Sequence, residues 1–78
     1  MKKFVINKHL IINDQIVETT LFKSFDNLDS AIDELIYMWL HMNDSIYCQI
    51  LEITGGLVSL RYWENDQFIR LVINEINN

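Results

Sequence analysis

The 78-residue chain has no proline, one cysteine and only two glycines, which are adjacent. A lone cysteine, Cys48, excludes an internal disulfide. The apolar core must then supply the stability, as suits a reducing, cytoplasmic setting. Gly55-Gly56 reads as a turn between two strand-like runs, and no helix follows it to receive a phosphate. No stretch approaches the roughly 20 apolar residues of a membrane span. Met1-Lys2-Lys3 before Phe4-Val5-Ile6 has the outline of a signal peptide. Asn7, Lys8 and His9 interrupt the apolar run too early for one, so none is expected.

Basic residues are also missing where most chains mix signs. Residues 24–60 hold six acids and no lysine or arginine, whereas residues 1–23 carry +2 and residues 61–78 carry −1, giving −5 in all. Such a field opposes non-specific nucleic-acid binding and favours basic partners, besides keeping the protein soluble. The two histidines, His9 and His41, fall on separate elements, and Cys48 is the only thiol. No spacing matches a metal site, a nucleophile elbow or a phosphate loop. The expectation is a protein that is not an enzyme and needs no cofactor or metal.

What is present is apolar patterning, at 50% hydrophobic residues, enough to exclude disorder. One domain spanning 1–78 is expected, with every core residue needed in so short a chain. "FVINKHLIINDQIVETTLF" reads as a hairpin turning at Asn13-Asp14, placing Leu10 opposite Val17, Ile6 opposite Leu21 and His9 opposite Glu18. It is apolar on both faces, so part of its second face is expected to be covered. "FDNLDSAIDELIYMWLHM" reads as a helix capped by Asp26 and ended by Asn43-Asp44-Ser45. Leu28, Ala31, Ile32, Leu35, Ile36 and Trp39 form its apolar stripe, with Trp39 expected against Leu60 and Leu71.

The remainder reads as a three-stranded meander with two-residue turns at Gly55-Gly56 and Asn65-Asp66. Those turns place Leu51 opposite Leu60 and Leu60 opposite Leu71, with Ile53, Val58 and Ile73 in line and Tyr62 beside Ile69. One continuous apolar face results, which a one-residue slip would destroy. The fold class is α+β, ordered ββαβββ: an antiparallel sheet with one amphipathic helix packed on one face.

Two constellations stand out. On the helix, Asp29, Asp33, Glu34, Tyr37 and His41 lie opposite the stripe. With Asp26, their acids make a patch that either complements the helix dipole or docks a basic partner. In the meander, the stretch "RYWENDQFIR" places Arg61 opposite Arg70 and Trp63 opposite Phe68, all on the face away from the helix. Cys48 is expected across from Trp63, Ile50 across from Arg61 and Glu52 across from Ser59. Opposed like charges are mildly destabilising. Either Glu52 bridges them, or the arginines and aromatics serve as a contact site, since these residue types dominate interface hot spots.

In size, acidity and architecture, with a meander following one helix, the whole chain resembles small bacteriophage anti-CRISPR inhibitors. No residue role carries over with that likeness. The resemblance implies a non-catalytic inhibitor, phage- or mobile-element-encoded, that blocks a bacterial defence complex such as a CRISPR-Cas effector by protein–protein contact. The acidic field and the lack of a long apolar run leave neither nucleic acid nor membrane as the expected direct partner. The alternatives are a small immunity protein or antitoxin neutralising a cognate toxin, and a homodimeric structural module.

Overall fold

The computed structural model describes residues 2–42, 46–54 and 57–77. In chain order the elements are β1 (Lys2–Ile12), β2 (Gln15–Phe25), α1 (Leu28–Leu40), β3 (Ile46–Thr54), β4 (Leu57–Glu64) and β5 (Gln67–Asn77). All five strands form one antiparallel sheet in the order β2-β1-β5-β4-β3, with α1 packed against one face. The α+β architecture ββαβββ follows from the sequence patterning. The seam between β1 and β5, which joins the hairpin to the meander, has no turn to announce it.

Two turns set much of the geometry. Asn13 and Asp14 have φ of 53° and 63°, and Asn65 and Asp66 have 52° and 63°. Positive φ at both central residues defines the tight hairpin turn whose twist matches the flanking strands, and Asn and Asp tolerate it better than other non-glycine residues. From Asn65-Asp66 the β4–β5 ladder runs unbroken from Glu64↔Gln67 to Ser59↔Val72. It places Arg61 opposite Arg70, Trp63 opposite Phe68 and Leu60 opposite Leu71, as the sequence predicts. Between β3 and β4, Leu51↔Leu60, Ile53↔Val58, Ile50↔Arg61 and Glu52↔Ser59 pair as expected. A register shift between Tyr47 and Ile50 then brings Tyr47, rather than Cys48, opposite Trp63. The turn assigned to Gly55-Gly56 and the helix stop assigned to Asn43-Asp44-Ser45 lie outside the described residues.

The first hairpin departs from its predicted register. Ile11↔Ile16 holds next to the turn, but β2 then carries two extra residues. Leu10 pairs with Glu18 rather than Val17, His9 with Thr19 rather than Glu18, and Ile6 with Lys23 rather than Leu21. Val17 and Phe22 are the unpaired insertions, at bulges that bend the strand. β2 lies at the sheet edge and is exposed almost throughout. Bulges and a lysine on such a strand discourage pairing with another chain. In β1, by contrast, Val5 and Ile6 are both buried although they face opposite sides.

The core lies between α1 and the facing side of the sheet. Ile6, Leu35, Leu60, Ile69 and Leu71 are its largest fully buried side chains, joined by Ala31, Val58, Tyr62 and Ile73. Burying such an aliphatic side chain is worth about 1.5–3 kcal/mol. The helix keeps the middle of its predicted stripe and departs from it at both ends. Ala31 and Leu35 are buried, Ile32, Met38 and Met42 pack beside them, and Trp39 stays 39% exposed outside the cluster. Ala31, Ile32 and Leu35 hold the predicted stripe, Met38 at i+7 from Ala31 takes the place of Trp39, and Met42 joins from beyond the His41 C-cap. Leu28 is likewise 40% exposed. The cap is Asn27, not Asp26: the Asn27 side chain accepts a 2.8 Å hydrogen bond from the Ser30 backbone N–H. Among the described residues, no helix is long and apolar enough to cross a membrane.

Candidate functional site

One face of the sheet is covered by the helix and the other is not. Because side chains alternate along a strand, Arg61, Trp63, Phe68 and Arg70 project away from the side that buries Leu60, Tyr62, Ile69 and Leu71. The ladders order this open face into rows. Ile16, Ile11, Phe68 and Trp63 follow one another across β2, β1, β5 and β4 as a part-exposed apolar row. The next row is Thr19, His9, Arg70, Arg61 and Ile50, and the third is Leu21, Asn7, Val72, Ser59 and Glu52.

Each row has its own chemistry. The Trp63 and Phe68 rings stack with centroids 5.3 Å apart and planes 16° apart. This offset pairing adds about 0.5–1.5 kcal/mol beyond burial while leaving part of both rings to solvent. In the polar row, Arg61 Nη2 lies 3.7 Å from Glu52 Oε2, and Arg70 Nη2 lies 3.4 Å from His9 Nδ1. An arginine can only donate, so Nδ1 accepts and the imidazole proton sits on Nε2. Burial, and secondarily the Arg70 charge, hold the His9 pKa below the ordinary histidine value. The Nε atoms of both arginines are buried and have no hydrogen-bond partner.

Beneath these side chains is a cavity of about 310 Å³. Ser59 and Val72, 2% and 6% exposed, form its floor, and His9, Glu52, Arg61, Arg70 and Asn74 surround it. No helix covers those two floor residues, so the ring of longer side chains shields them. Asn74 is held in turn by a 2.9 Å bond from Asn7 Nδ2. On the hairpin's own second face the expected cover reaches only Val5 of β1, 5% exposed, while Ile16 and Phe22 of β2 stay 49% and 42% exposed.

The structure brings together four of the eight residues singled out from sequence, Arg61, Trp63, Phe68 and Arg70, and keeps the other four apart from them on the helix. Asp29, Asp33 and Tyr37 are exposed there, and Tyr37 packs its ring against His41 at 4.3 Å. Glu34 is not part of a free acidic patch: it accepts a 2.8 Å bond from Lys23 of β2. Asp26 similarly stands 3.9 Å from Lys3. The missing bases of the helix are supplied by the hairpin. Sequence reasoning missed His9, Asn7 and Asn74, which reach the site only through the β1–β5 seam. Among the described residues the other perturbed group, Tyr62, lies on the helix side, where burial and then Glu64 raise its phenol pKa.

Comparison with family models, curated proteins and solved structures finds no match to this chain.

Proposed function

We propose that this chain is a non-catalytic binding protein that holds a protein partner on its open sheet face. Trp63 and Phe68 are the apolar anchor, and Arg61 and Arg70 are the charged contacts. The observation that carries this reading is the segregation of side chains. The only two arginines of the chain and a stacked Trp–Phe pair share the one sheet face that no helix covers. Trp and Arg, clustered at the centre of a patch, are the types that dominate interface energetics. The likeness in size and charge to anti-defence inhibitors makes a bacterial defence complex, a CRISPR-Cas effector first, the partner class to try. Inhibition would come from occupying a surface in the cytoplasm.

The test is affinity capture from bacterial lysate, repeated with purified partner, comparing the wild type with Trp63→Ala and with Asp29→Asn/Asp33→Asn. Loss of at least tenfold in affinity with Trp63→Ala alone supports the sheet face, as expected for a hot spot worth more than about 1.4 kcal/mol. Loss with the helix variant alone would overturn it. Recovery of a single cognate toxin would replace the anti-defence reading with the immunity-protein one.

A further inference from the structure

The arginine pair is an expense the fold does not explain. Arg61 and Arg70 are directly opposed on neighbouring strands, and like charges in that arrangement are destabilising. Their compensation is incomplete on both sides. The 3.7 Å Arg61–Glu52 approach exceeds the roughly 2.7–2.9 Å of a charge-assisted bond. Arg70 has a neutral nitrogen of His9 at 3.4 Å, and among the described residues no carboxylate lies within ion-pair distance of it. Both Nε–H donors are buried and unsatisfied. Buried donors without partners are rare enough in native folds that each calls for a reason.

Resting on the reading of the open face above, we infer that the cavity between His9, Arg61 and Arg70 is a carboxylate-binding site that takes one acidic side chain of the protein partner. A planar carboxylate has two oxygens and about four lone-pair directions. It can accept from both guanidiniums at once, supplying the missing charge and the missing acceptors together. A turn of each guanidinium lifts its covered Nε–H into that contact. Glu52, held only loosely at 3.7 Å, is the internal carboxylate that the incoming one displaces or joins. The cavity lies at the middle of the face, on β4 and β5, where an approaching surface presents side chains.

Two other occupants fit less well. A nucleic-acid strand needs a basic track. By strand alternation Lys2, Lys8 and Lys23 lie on the helix side, and Lys3 stands near Asp26. A second copy seated face to face would bring two further arginines to a place already short of negative charge.

Because the chain has only these two arginines, its arginine Nε–Hε NMR spectrum reports on the site and on nothing else. The full chain is titrated with acetate, inorganic phosphate and chloride at constant ionic strength. Saturable shifts of both resonances with acetate, absent with chloride, are expected. Arg70→Ala and the charge-preserving Arg70→Lys should each weaken the response of Arg61 at least tenfold while leaving the backbone spectrum folded. Linear shifts that chloride reproduces would overturn the site. Saturation by phosphate but not acetate would overturn the carboxylate assignment and favour a phosphoryl group, including a nucleic-acid phosphate. Partner capture that depends on Trp63 despite unresponsive arginines would remove the pocket alone. Acetate binding with capture indifferent to Trp63 would remove the docking face alone.

Discussion

Single side chains test the packing most sharply where sequence and structure part. Leu35 is completely buried against the sheet, and Trp39, one turn further on, is not. Leu35→Ala should cost about 2–5 kcal/mol, a large share of the roughly 5–15 kcal/mol available to a small domain. Trp39→Ala should cost clearly less, and chemical denaturation of both variants checks the order. A larger loss at Trp39 would restore the predicted stripe. The difference was not legible in sequence because a large indole at an i+4 spacing from Leu35 satisfies the helical period as well as Met38 does. His9 carries a prediction in pH. Its folded-state pKa is depressed, by burial first and Arg70 second, so the native state resists a proton that the unfolded chain accepts. Stability from this group is complete above the unfolded value of about 6.5 and declines as pH falls below it. Between pH 7 and 5 the wild type should lose more stability than His9→Gln, and equal slopes would sever His9 from the arginine row.

At the level of elements, legibility followed the turns. Asn65-Asp66 holds two strands in a register with no shift, so the opposition of the arginines and of the aromatics could be counted off the chain. Asn13-Asp14 is an equally good turn, yet the insertions at Val17 and Phe22 spoil the count beyond it. Both are apolar residues in an apolar strand and leave no mark in the pattern. The β1–β5 seam has no connecting turn at all, which is why His9 could not be placed beside Arg70. The helix start gives a discriminating test, since Asp26 and Asn27 are both good capping types and only Asn27 makes the bond. Asn27→Ala should cost about 1 kcal/mol and Asp26→Ala no more than ~0.5 kcal/mol. Equal costs in thermal unfolding would reinstate Asp26. Glu34→Gln, breaking the surface pair to Lys23, should cost less than about 1 kcal/mol, because half-exposed pairs are screened.

Across the whole molecule charge is unevenly divided by side. The acids Glu18, Asp29, Asp33, Glu34, Glu64 and Glu75 outnumber Lys2, Lys8 and Lys23 on the helix and the strand face beneath it, while the open face carries Arg61, Arg70 and Lys3 against Glu52. This polarity sets the sign of an on-rate experiment. If an acidic partner docks on the open face, Asp29→Asn/Asp33→Asn should leave association unchanged or faster. If a basic partner docks on the helix, association should slow and its salt dependence flatten. Stopped-flow association at low and high salt separates the two. The seam also governs how the molecule is assembled in time. Lys2 pairs with Asn77 and Ile11 with Phe68, so the central strand β5 and its neighbour β1 come from opposite ends of the sequence. The hairpin and the β4–β5 turn need only short loops to close, whereas the seam must close nearly the full chain length, and such distant contacts slow folding. Reordering the chain makes this measurable. A permutant that links Asn77 to Lys2 through a short turn and opens between Phe25 and Asp26, where β2 leads into α1 with no strand pairing to lose, makes every ladder of the sheet local. It should refold faster than the natural order in stopped-flow fluorescence, with its unfolding rate changed much less.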